Sequence, residues 1–225
     1  MKSVAPEAVR DVLLLSIAAG SADAAGFFGL GRVFTSNMTG NLVLLGVAVG
    51  QGHVVDAARS ILVLAVFTLG VGVGIRLALP VRDGNWAGLA GRLVNLEKIL
   101  LLAFAIGWLV LHPGGEFASD VLLAALAFAM GLQTAALSRL GAPGVGTTAI
   151  TSTITALVTG LVVHVAAPEQ STSRQRLAFQ AGVLALYGAG AAVGGMLILR
   201  LPWLAGFVPL AATAFAIPTR TLVND

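Results

Sequence analysis

The sequence predicts an all-α polytopic membrane protein with about six transmembrane crossings and two short polar segments, helical or re-entrant. Composition, charge spacing and an internal repeat carry that reading. Apolar residues make up 57% of the chain and charged residues 10%, against about 25% charged in an ordinary soluble domain. Charges are absent from 33–53, 99–113, 141–168 and 177–199, while 12–31 holds Asp23 alone and 121–140 holds Arg139 alone. A helix needs roughly 20 mainly apolar residues to cross the hydrocarbon core, and several windows reach that length. Nothing outside them is long enough for a soluble domain, so 1–225 is read as a single membrane domain.

The first apolar segment, about 12–31, follows Lys2 and Arg10 and passes into small residues. That layout resembles a signal peptide, but a related segment recurs mid-chain, so it reads as a span. The second, about 33–50, is short and opens with hydroxyls and amides. The third, about 57–79, carries Gly70, Gly72 and Gly74; the fourth, about 93–111, has Trp108 near its end. The fifth runs about 119–139. The sixth, about 144–165, is again short and hydroxyl-rich. The seventh, about 177–200, follows Arg174 and Arg176 and carries Gly188, Gly190, Gly194 and Gly195; the eighth, about 203–218, opens on Trp203. These glycines are read as close helix packing. A nucleotide loop would need a preceding strand and a Lys-Ser/Thr pair. Trp86, Trp108 and Trp203 read as interfacial anchors.

The segments form two repeats, about 12–111 and 119–218. A shift of about 111 residues pairs Ala24-Ala25 with Ala135-Ala136. One residue more pairs Val33 with Val145, Thr35 with Thr147, Ser36 with Thr148 and Thr39 with Thr151; further on, Gly72 and Leu79-Pro80 pair with Gly194 and Leu201-Pro202. Charge tests the topology. If all eight segments cross, basic residues divide evenly between the faces. If 33–50 and 144–165 make no net crossing, Lys2, Arg10, Arg76, Arg82, Arg92, Lys98, Arg139, Arg174, Arg176 and Arg220 share one face, against Arg32, Arg59 and Arg200. That split follows the positive-inside rule. It predicts cytoplasmic termini and halves inverted relative to each other, an arrangement that in transporters places the site near the midplane.

The stretch Gly20 to Leu45, with Ser21-Ala22-Asp23-Ala24-Ala25, Leu30-Gly31, Val33-Phe34 and Met38-Thr39-Gly40-Asn41, resembles the YoaK-like membrane-protein family (domain-of-unknown-function family 1275). Gly131-Leu132-Gln133-Thr134-Ala135 and the run Thr147 to Thr153 resemble it too. Thr134 departs from an expected Asn and Ser152 from an expected Gly. The resemblance implies a bacterial inner-membrane protein with about six spans. It implies no activity.

Asp23 is the strongest single signal. It lies near mid-bilayer, where a carboxylate costs at least a few kcal/mol unless paired, hydrated or protonated. It could bind a cation or carry a proton, or it could tie its span to a neighbour by hydrogen bonds. The ladder Thr35, Ser36, Asn37, Thr39 and Asn41 places Asn37 with Asn41, and Thr35 with Thr39, on shared helix faces. Its second-half counterpart is Thr147, Thr148, Thr151, Ser152, Thr153 and Thr155. These groups could line a solute path, or bond helices together. Gln133 is a further mid-span polar group that could face ligand or packing.

Other classes are weaker. The net charge of +3 comes from basic residues at segment ends, so no nucleic-acid surface is expected. There is no cysteine, hence no disulfide or thiolate site. His53, His112 and His164 lie far apart, without a nucleophile motif or zinc-ligand spacing. No catalytic residue, metal or cofactor is expected. The leading expectation is a small-solute or ion permease with a polar site at Asp23, Ser36, Asn37, Thr39, Asn41, Gln133, Thr147, Thr148, Thr151 and Thr153. The alternative is a noncatalytic membrane scaffold with all polar groups paired and no cavity. The expected partners are the lipid bilayer and, to complete a pathway, a second copy of the chain.

Overall fold

Long uncharged windows demand helices, because a helix satisfies its own backbone hydrogen bonds in lipid. The computed structural model describes residues 6–79, 86–111, 115–139, 150–166 and 173–216, and these residues form helices and no strand. They are α1 (Pro6–Ala24), continued by a π-helical turn (Ala25–Gly31), α2 (Met38–Gln51), α3 (Val54–Ala78), α4 (Trp86–Leu111), α5 (Gly115–Arg139), α6 (Ile150–Ala166), α7 (Arg174–Arg200), α8 (Pro202–Ala205) and α9 (Val208–Ala214).

Five helices are long and apolar enough to cross a membrane: Glu7–Gly31, Val54–Ala78, Gly88–Leu111, Gly115–Ser138 and Arg174–Arg200. They match five of the six expected crossings. The sixth differs. Segment 203–218 is not one helix but α8 and α9, broken around Gly206–Phe207. The cause is Pro209: it has no N–H to donate, and its ring collides with the carbonyl four residues back. The two pieces run back along α4. Trp108 Nε1 donates to Pro202 O at 2.8 Å, and Lys98 Nζ to Ala216 O at 2.7 Å. Trp108 is therefore a core residue rather than an interfacial anchor. It is buried, and its ring lies where side chains at Gly29 and Gly206 would stand.

The first short segment turns back instead of crossing. α1 ends through Arg32, whose left-handed φ of 58° closes the π-helical turn. The chain then folds down along α1 until Thr35 and Ser36 reach Asp23. Asp23 lies eight residues before Gly31, about 12 Å along a helix axis. α2 starts at that depth and climbs back. A side chain at Gly31 would meet Arg59 near the start of α3, so α2 ends on the face it came from.

The halves interlock. α1 packs on α7 and α3 on α5, each pair running parallel, while α4 packs on α5 and α9 on α1. Glycines make the close crossings. A Cβ on Gly20 would lie 2.0 Å from Tyr187 O, and one on Gly190 2.3 Å from Ile17 O. In the other pair, a Cβ on Gly131 would lie 2.4 Å from Phe67 O, and one on Gly70 2.5 Å from Phe128 O. A shift of 111 residues takes Ile17 and Gly20 to Phe128 and Gly131; a shift of 120 takes Phe67 and Gly70 to Tyr187 and Gly190. The close approaches thus pair Gly74, not Gly72, with Gly194: the first meets Ala135 and the second Ala24. Gly72 and Gly188 open onto empty space, so close packing does not explain them.

Candidate functional site

Non-helical backbone inside a membrane leaves N–H and C=O groups that need partners. The turn between the π-helix and α2 finds them in three side chains. Asp23 Oδ1 accepts from Thr35 N at 2.7 Å, Ser36 N at 2.6 Å and Thr35 Oγ1 at 3.3 Å. Its Oδ2 accepts from Ser36 Oγ at 2.8 Å and from the Tyr187 hydroxyl of α7. Asn41 Oδ1 accepts from Phe34 N at 2.8 Å and its Nδ2 donates to Phe34 O at 2.5 Å. Asn37 caps α2, its Oδ1 accepting from Gly40 N at 3.1 Å. The carboxylate is 3% exposed. Asp23 therefore acts first as the anchor of the re-entrant turn.

Beside this anchor lies a cavity of about 650 Å³, walled by the starts of α2 and α6, by the middles of α3 and α7 and by Thr134 near the end of α5. Ser36, Asn37, Met38 and Thr39 come from the first half, with Phe67 from α3. Thr134, Ile150, Thr151, Ser152, Thr155 and Tyr187 come from the second. The two hydroxyl-rich segments meet here. Their hydroxyls bond locally where they can: Thr155 Oγ1 donates to Thr151 O at 3.0 Å and Thr134 Oγ1 to Met130 O at 2.8 Å.

Of the ten expected site residues, Ser36, Asn37, Thr39 and Thr151 line the cavity. Asp23 sits one layer behind it, bonded to two of its wall residues, Ser36 and Tyr187. Asn41 and Thr153 are buried outside the lining. So is Gln133, whose Nε2 donates to Leu15 O at 3.1 Å and ties α5 to α1. Thr147 and Thr148 lie outside the described residues.

Sequence reasoning passed over three groups. Tyr187 is the sole tyrosine in the chain, and that single hydroxyl deep in an uncharged window was the available signal. Phe67 stands at the equivalent place on α3. Glu97 lies inside the span Gly88–Leu111, fully buried, with no hydrogen-bond partner for either carboxyl oxygen. A second carboxylate besides Asp23 thus lies within a span. The sequence reading weighed only the uncharged window 99–113, which begins just after Glu97 and Lys98. At the Gly31 face, Arg59 Nε meets Asp120 Oδ1 at 2.8 Å, joining the starts of α3 and α5.

A family model described as a protein of unknown function (DUF1275) matches residues 12–218. Among curated proteins, the UPF0700 transmembrane protein YoaK of Bacillus subtilis (strain 168) is 32% identical over 158 residues, covering 67% of this chain and 67% of that protein. No solved structure matches.

Proposed function

This chain belongs to the DUF1275 family, and on that premise we propose that it is a small-solute permease of the bacterial inner membrane, with the cavity beside Asp23 as its substrate site. The observation that carries the reading is the convergence of two separated hydroxyl-rich segments on one cavity beside the buried Asp23. A scaffold would pair those groups with one another and leave no space. The full pairing of Asp23 is what a scaffold needs too, so the case rests on the cavity rather than on the carboxylate.

The halves act as inverted repeats that rock about the glycine crossings of α1 on α7 and α3 on α5. Interlocked parallel pairs support this, because each half is completed by a helix of the other. The basic-residue bias puts both termini in the cytoplasm and the Arg59–Asp120 pair outside. No catalysis is assigned to the site.

The test uses the absence of cysteine from the chain. Thr39→Cys and Thr151→Cys variants are exposed to a membrane-impermeant thiol reagent, first from outside and then in inverted vesicles. Alternating access requires labelling from both sides. Labelling from one side only, or from neither, sinks the permease reading.

A further inference from the structure

The chemistry of the cavity wall identifies what the site accepts. Seven hydroxyls and one amide face the space, and no Asp, Glu, Lys, Arg or His is among the lining residues. The chain from Leu140 to Ala149, which joins α5 to α6, carries no charged residue or histidine either. An ion moved from water into such a place loses solvation that only an opposite charge or a full set of ligands restores.

Asp23 is the charge nearest in connectivity, and it is already balanced. Its carboxylate faces five donors, among them the backbone N–H groups of Thr35 and Ser36 just ahead of α2. Those N–H groups are thereby unavailable to an anionic ligand. Both carboxylate oxygens are likewise occupied, so neither is open to a cation. The positive end of α2 and the negative carboxylate offset each other.

The direction of the hydrogen bonds narrows the class further. A hydroxyl has one proton and two lone pairs. Ser36 and Tyr187 direct their protons at Asp23, and Thr155 directs its own at Thr151 O. Toward the cavity these three oxygens can only accept. An acceptor-rich wall binds molecules that bring O–H or N–H donors, and it offers an oxyanion little.

Resting on the permease reading above, we propose that the cavity takes an uncharged small solute rich in hydroxyl or amide N–H donors, the chemistry of polyols and of urea. Tyr187 and Phe67 add aromatic faces against which the C–H surface of a polyol, or the flat face of urea, can lie.

The test is osmotic. Proteoliposomes of the full chain are mixed with hyperosmotic ribitol, glycerol or urea, and separately with sodium acetate or methylammonium chloride, and reswelling is followed by light scattering beside empty liposomes. The expected result is faster reswelling in an uncharged solute, none in either salt, and a slowing of about tenfold in Thr151→Val, the size of one lost hydrogen bond. Reswelling in a salt without any in the uncharged probes overturns the assignment of solute class and leaves the permease reading standing. Reswelling in no probe overturns the assignment too; the permease reading then falls only if the thiol labelling is also one-sided or absent.

Discussion

Tyr187 of α7 donates its hydroxyl to Asp23 of α1, at the crossing where Gly20 brings the two helices into backbone contact. The same shifts that relate the glycine crossings carry Tyr187 to Phe67 and Asp23 to Thr134. Both of those residues also line the cavity. The cavity wall thus carries the Tyr187 phenol on α7 and the bare Phe67 ring at the corresponding place on α3, with Thr134 on α5 where α1 has Asp23.

Asp23→Asn should loosen that turn. The amide brings a donor where the carboxylate accepts from five, so at least one buried N–H or hydroxyl loses its partner. With hydrogen bonds to charged groups worth about 1.5–3 kcal/mol each, the variant should melt lower than wild type by about 2 kcal/mol or more. Amide exchange at Phe34 to Asn37 should accelerate with it. An unchanged melting temperature would show that the carboxylate does not anchor the turn.

Tyr187→Phe removes one donor of the five and leaves the ring in place. It should cost less than Asp23→Asn, about 1–2 kcal/mol, and the turn should stay protected from exchange. If the phenylalanine variant loses as much stability as the asparagine one, the tyrosine is holding the turn rather than assisting the acid.

The glycines separate sharply into two kinds. Gly20→Ala or Gly131→Ala places a Cβ within 2.0 or 2.4 Å of a backbone carbonyl on the facing helix, and neither helix can move aside without opening a packed crossing. Overpacking of this kind costs about 1–3 kcal/mol, occasionally more. Gly72→Ala meets nothing within 4 Å and should be neutral, or stabilise by up to about 1 kcal/mol through helix propensity. Thermal melts of the three variants in one detergent decide it; equal melting temperatures would contradict the crossing geometry.

Much of the scaffold was legible because lipid leaves so few solutions: charge-free windows had to be helices. The meeting of 33–50 with 144–165 was also legible, since the hydroxyl ladder occurs in both halves. What Asp23 does was not. Its partners lie twelve and more residues on, in a turn that no helical spacing describes, and treating Thr35 to Asn41 as a helix face misassigned Asn41, which bonds back to Phe34. The broken last span was there to be read in Pro202 and Pro209, a proline at each restart. It was passed over because hydropathy alone cannot tell one helix from two.

Glu97 gives the last prediction. It sits in the α4 span with both oxygens unpartnered, while Lys98 beside it is directed at Ala216 O. A carboxyl taken out of water without a compensating bond costs at least about 1–3 kcal/mol. Glu97 is not among the residues that line the cavity, so stability alone is at stake if it is a passive burden. Glu97→Leu, close in length and apolar, should therefore melt higher than wild type and leave thiol labelling at Thr39→Cys unchanged. A lower melting temperature would reveal a bond to Glu97 that forms in the working protein. An unchanged or higher one with labelling lost from one face would make Glu97 part of the motion between the two access states, linking the α4–α9 contact to the cavity.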